Sequence, residues 1–175
     1  RMNEYMVGDE PTSREYLQFI VDELKPFIDS PSRTRTGRDD TFLLGSSLGG
    51  LISLYGVTRY PEVFGGAACI STAWPSTFTD DDPASNTASI DFLHDAMPAP
   101  GNHKFYFDYG SAEFDLEFEP HQRVIDDLMR ELGYEHGALW QTHEFEGAEH
   151  SEIYWRERVH IPLKFLLTPA NKNNE

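Results

Sequence analysis

Along the chain, apolar residues recur first at helical spacing and then in short blocks, and the two patterns alternate to the end. Leu17, Ile20, Leu24 and Phe27 stand three or four apart, which predicts a helix over about 13–29, opened by a capping box of Thr12 with Glu15 and bent at Pro26. A polar, basic loop follows over 31–40. Residues 41–44 read as a short buried strand, 48–60 as a helix stopped by Pro61, and 64–70 as a second strand. In 104–109, Phe105 and Phe107 alternate with Tyr106 and Asp108 and predict a third strand, after an irregular polar segment over 74–85. Pro120 suits the first turn of a helix carrying Val124, Leu128 and Leu132 on one face and ending at Gly133. Residues 138–145 read as a fourth strand and 151–167 as a last helix, with Trp155, Val159, Leu163 and Leu166 on one face. No internal repeat interrupts this order. Alternating strands and helices predict an α/β fold with a mostly parallel, doubly wound sheet, right-handed crossovers, and ligands at the carboxyl ends of the strands.

Composition narrows the picture. The 175 residues, 39% hydrophobic and 13% aromatic, suit one core and a single domain over 1–170, with 171–175 as a flexible tail. With 30 acidic against 14 basic residues the formal net charge is -16, which repels polyanions and argues against nucleic-acid or anionic-membrane partners. No apolar run reaches the roughly 18 residues of a membrane helix, so membrane insertion is not expected. Arg1 is not preceded by a Met or a charged-then-apolar leader, which fits a removed leader or a chain that begins part-way through a larger protein; localisation stays open. The one cysteine, Cys69, lies in an apolar run and reads as a buried small hydrophobe.

The chemistry begins at Gly45-Ser46-Ser47-Leu48-Gly49, a G-x-S-x-G pattern between a predicted strand and a predicted helix. In that setting Ser47 is the residue of a sharp, strained turn that exposes its Oγ above the sheet. The glycines two residues to either side let strand and helix pass closely, and the Leu48 N–H at the start of the helix is an oxyanion donor. Ser46 is the weaker nucleophile, because its own flanks, Leu44 and Leu48, are bulky.

A serine needs a base, and of seven histidines His150 alone sits in a short loop between the last strand and the last helix. His94, His103, His121, His136, His143 and His160 fall where a structural or surface role is expected. The acid should follow the third strand, where Glu113 and Asp115 are both candidates and Asp108, inside the strand, comes too early. Asp80-Asp81-Asp82 and the acids of 117–119 read as solvated faces, and Trp74, Trp140 and Trp155 as packing residues. No HExxH or paired Cys/His spacing suggests a metal.

Three blocks, GSSLGGLISLYGVTRYPEVFGG, KFYFDYGSAEFD and FEGAEHSEIYW, resemble the Putative esterase family of α/β-hydrolases, which includes esterase D-like and enterochelin-esterase-like enzymes. The resemblance implies an α/β-hydrolase fold and hydrolysis of small carboxylic esters by a serine nucleophile without cofactor. Ser47 falls on the family's nucleophile and His150 on its histidine. Relatives most often carry Thr-Glu-Thr-Leu-Asp where this chain has Ser111-Ala112-Glu113-Phe114-Asp115; only the final aspartate is kept, so the acid falls on Asp115, with Glu113 in reserve. Acyl transfer and a catalytically silent interaction module are the alternatives. The family also implies several strands ahead of this segment, with the second oxyanion donor among them, so this chain is expected to be the C-terminal two-thirds of the fold. Its elbow strand would then lie at an open edge able to pair with another copy.

Overall fold

The computed structural model describes residues 11–74, 87–101 and 103–168. The expected tail at 171–175, the Asp80-Asp81-Asp82 run and most of the irregular segment lie outside them. Four strands, β1 (Phe42–Ser46), β2 (Gly66–Ile70), β3 (Lys104–Gly110) and β4 (Trp140–Phe145), form one sheet in the order β1-β2-β3-β4. Every pairing is parallel, with Leu44 opposite Ala68, Ala68 opposite Tyr106 and Tyr106 opposite Gln141. This is the parallel α/β arrangement that the alternating pattern predicts.

Covering on both faces explains why β2 and β3 are buried at every residue, whereas β1 is only half-buried and exposes Leu44. Among the described residues β1 pairs with β2 alone and forms a sheet edge. Helix α3 (Leu48–Arg59) is buried from Gly50 to Thr58. It lies against Leu43, whose Cδ1 would stand only 2.4 Å from a Cβ built on Gly56. The main core joins Leu51, Leu54 and Val57 of α3 to Phe64, Phe105, Phe107 and Trp140. Burying each of those phenylalanines stabilises the fold by ~1.5–3 kcal/mol.

Three helices depart from their expected form. The first runs as α1 (Pro11–Phe19), a π-helical turn (Ile20–Leu24) and α2 (Lys25–Asp29). Thr12 therefore lies within α1 and does not cap it. Pro26 lacks an N–H and its ring crowds the carbonyl four residues back; the wider turn before it, closed by the Lys25 N–H on the Ile20 carbonyl, relieves that crowding. The next helix, α5 (Phe118–Glu131), follows α4 (Thr87–Ala96) and holds Pro120 in its first turn as expected, but its inward face differs. Its buried side is Phe118, His121, Gln122, Ile125, Leu128 and Met129, with Val124 and Leu132 only half-buried.

The last helix divides into α6 (Glu152–Arg158) and α7 (His160–Leu167). Pro162 again explains the break, since its ring would meet the Arg158 carbonyl in a continuous helix. Arg158, Pro162 and Leu166 are buried, whereas Trp155 and Val159 are half-buried and Leu163 is exposed. Among the described residues, no helix is long and apolar enough to cross a membrane.

Candidate active site

Residue by residue, β1 passes into α3 through Ser47, whose backbone has φ 57° and ψ -128°, a conformation that L-residues adopt only under constraint. Neighbouring bonds hold it. The Ser47 N–H donates to the Ile70 carbonyl at 2.9 Å, and the Ser47 carbonyl accepts from Gly50 N–H at 3.0 Å. A Cβ on Gly45 would stand 2.3 Å from the Gly49 carbonyl oxygen, so strand and helix pass at backbone contact. A Cβ on Gly49 would meet nothing within 4 Å of the described residues, whereas one on Gly50 would approach Thr72 Oγ1 at 2.8 Å. The steric demand thus falls on Gly45 and Gly50, not on Gly49 as the motif suggests. Gly45→Ala should destabilise the protein by ~3 kcal/mol or more, read from urea unfolding, while Gly49→Ala stays near the parent.

The turn points Ser47 Oγ at His150. That histidine lies between β4 and α6, and its Nε2 is 3.0 Å from Ser47 Oγ while its Nδ1 is 2.6 Å from Asp115 Oδ1. Asp115 belongs to a 3-10 turn (Glu113–Glu117) after β3 and is fully buried. Its Oδ2 accepts from Gly110 N–H at 2.8 Å and from Ser71 Oγ at 2.5 Å. Burial pushes its carboxyl upward, but hydrogen bonds from His150, Ser71 and Gly110 outweigh that and hold it below the ordinary carboxylate value. As a carboxylate it only accepts, so Nδ1 carries the imidazole proton and Nε2 presents a lone pair to the serine hydroxyl. Glu113, the reserve acid, has φ 54°, is exposed, and stands outside this run of hydrogen bonds. Ser46 ends β1 opposite Ile70.

Three rings frame the imidazole edge-to-face. Phe114 and Phe118 lie at 5.3 Å and Trp155 at 4.9 Å between centroids. They leave the ring little room to rotate and limit water beside it. Leu48 is the first residue of α3, so its N–H lies in the first turn, where the helix dipole is positive. Cys69 is buried and free, and burial raises its thiol, which keeps it protonated. The buried His103 is tied elsewhere: its Nε2 lies 2.8 Å from the Pro61 carbonyl.

Behind Asp115 is a group that the sequence reading passed over. Arg158 Nη2 donates to Asp108 Oδ1 at 3.0 Å and to Ser71 Oγ at 2.7 Å, and Trp155 Nε1 donates to Ser71 Oγ at 3.1 Å. Trp155 is therefore more than packing. The available signals were an acid within an otherwise apolar strand, which demands a buried partner, and an arginine in register with Pro162 and Leu166 on the inward side of the last helices.

Burial pushes Asp108 up to about 6 from the ordinary 3.8, against the pull of Arg158. A raised carboxyl makes the fold bind the extra proton, so its stabilisation is complete below 3.8 and is lost as pH rises through about 6. Relative to the parent, Asp108→Asn should thus gain ~2 kcal/mol between pH 4.5 and pH 7.5, measured as the difference of two urea curves. Asp115 carries the opposite sign: its contribution is present above 3.8 and is lost as pH falls through its lowered value.

Comparison with known proteins adds family and fold. Residues 3–164 match the family described as Putative esterase. An uncharacterized protein of Bacillus subtilis, YbbA, is 26% identical over 158 residues, covering 86% of this chain and 58% of its own length. Among solved structures, the enterobactin esterase FES from Shigella flexneri superposes with a TM-score of 0.71 at 19% identity, over 94% of this chain and 39% of that one. An S-formylglutathione hydrolase from Agrobacterium tumefaciens gives 0.67 at 20% identity, over 94% of this chain and 62% of that one. The chain thus spans less than two-thirds of the length of these relatives, and the two structural likenesses establish the α/β-hydrolase fold.

Proposed function

Because this chain belongs to the Putative esterase family, we propose that it supplies the nucleophile, base and acid of a serine carboxylic ester hydrolase. The observation that carries the reading is the unbroken run Ser47 Oγ, His150, Asp115 at 3.0 and 2.6 Å, with the serine held in a strained elbow. Ser47 Oγ attacks the carbonyl carbon of a small-molecule ester while its proton passes to His150 Nε2. Asp115 stays ionised and stabilises the imidazolium. Charge developing on the carbonyl oxygen is met by the Leu48 N–H at the start of α3. Collapse breaks the bond to the leaving alkoxide, which takes the proton from His150. Water then attacks the acyl-serine, giving its proton to His150, and release of the carboxylic acid returns that proton to Ser47.

A fluorophosphonate probe tests this directly on the 175-residue chain. Stoichiometric modification at Ser47, found by peptide mass, together with hydrolysis of a p-nitrophenyl ester, is the expected result. A folded chain that takes no label would instead be a silent interaction module, and the proposal would fall.

A further inference from the structure

We propose that Ser71, backed by Arg158, is a positioning residue whose hydroxyl sets the direction of the hydrogen-bond run ending at Ser47. The inference rests on the roles proposed above for Ser47, His150 and Asp115. Ser71 directly follows β2, is fully buried, and has φ 42°. That is left-handed backbone, where glycine is the comfortable residue and a serine is strained. Its N–H is already bonded to the Asp108 carbonyl at 2.9 Å, and glycine would keep that bond. What glycine lacks is the hydroxyl.

That hydroxyl has three polar neighbours, and their chemistry leaves one arrangement. The Trp155 indole at 3.1 Å and the Arg158 guanidinium at 2.7 Å are donors with no acceptor atom. Both lone pairs of Ser71 Oγ are therefore taken, and its single proton must point at Asp115 Oδ2, 2.5 Å away. With Gly110 N–H on the same oxygen at 2.8 Å, Oδ2 holds two donors and Oδ1 is left to His150 Nδ1. The carboxylate plane is then fixed, Nδ1 must carry the proton, and Nε2 must accept from Ser47. Every link has one polarity from Arg158 to the serine.

Charge supports the same conclusion. Arg158 is buried between two carboxylates, 3.0 Å from Asp108 and 3.8 Å from Asp115 Oδ2. Its placement favours the ionised Asp115 without capturing the oxygen that faces His150. Ser71 separates the guanidinium from Asp115, so the arginine polarises the hydroxyl and does not displace the imidazole.

Ser71→Gly tests the role, because glycine suits the left-handed backbone and removes only the hydroxymethyl group. Expected in the 175-residue chain are a kcat for a p-nitrophenyl ester lowered about 10- to 100-fold, a KM within about threefold of the parent, and an unchanged circular dichroism spectrum. The downfield His150 Nδ1–H proton resonance of the parent should broaden or vanish. Ser71→Cys, with a weaker donor at the same point, should recover part of both signals and serves as the second variant if glycine does not fold. A kcat within about threefold of the parent with the Nδ1–H resonance unmoved would overturn the inference. The resonance needs no turnover: an inactive parent whose resonance depends on Ser71 defeats the esterase reading alone.

Discussion

Ser47→Ala should lower kcat for a p-nitrophenyl ester by about 10⁶-fold, the loss typical of removing a serine nucleophile that acts with a histidine. The same variant should lose all labelling by a fluorophosphonate. Removing Oγ takes away the hydroxyl that stands 3.0 Å from His150 Nε2. The backbone of the turn should survive, since it is held by main-chain bonds to Ile70 and Gly50 that alanine keeps. Ser46→Ala, one residue earlier in β1, should retain turnover within about threefold. Equal turnover by Ser47→Ala and the parent would place the nucleophile elsewhere.

The next largest effect is expected at the acid. Asp115→Asn should cost about 10⁴-fold in kcat, whereas Glu113→Gln should change it by less than about threefold. Asp115 accepts from Gly110 N–H and Ser71 on Oδ2 and from His150 on Oδ1. An asparagine must keep its carbonyl oxygen toward the two donors, which turns its NH2 toward His150. The imidazole then meets a donor with Nδ1, must move its proton to Nε2, and can no longer accept one from Ser47. Glu113 is exposed and outside that run, so its amide has nothing to reverse. A rate ratio in the opposite order, measured on folded variants, would transfer the role to Glu113.

Much of this site was readable in a line of letters because its demands are local. A G-x-S-x-G after an apolar block and before a helical one encodes a sterically crowded turn within five residues, and the crowding at Gly45 is between backbone atoms of those same residues. The parallel sheet was readable for a similar reason. The run 66–70, Gly-Ala-Ala-Cys-Ile, has no polar side chain on either face, and only a strand covered twice requires that. His150 could be reached by elimination, because its place between the last strand and the last helix puts it at the sheet edge where the elbow opens.

What the residues alone left open depended on partners far along the chain. Between Glu113 and Asp115, two acids in one short turn, the composition offers no choice. The backbone decides it: positive φ at Glu113 leaves that residue exposed, and Asp115 is directed inward to donors from Gly110, Ser71 and His150. Helix faces were misread wherever proline changed the phase, at the π turn before Pro26 and at the break before Pro162, since periodicity counts residues and assumes one uniform pitch. That break also separates the inward Arg158 from the expected apolar face. The sequence by itself therefore determined the alternation of strands and helices, the elbow at Ser47 and the loop that carries His150, all encoded by contacts between near neighbours. Only the tertiary structure decided which carboxylate meets the imidazole and that Ser71, Asp108 and Arg158 stand behind it, because a buried charge is positioned by whatever distant groups the fold brings within hydrogen-bonding reach.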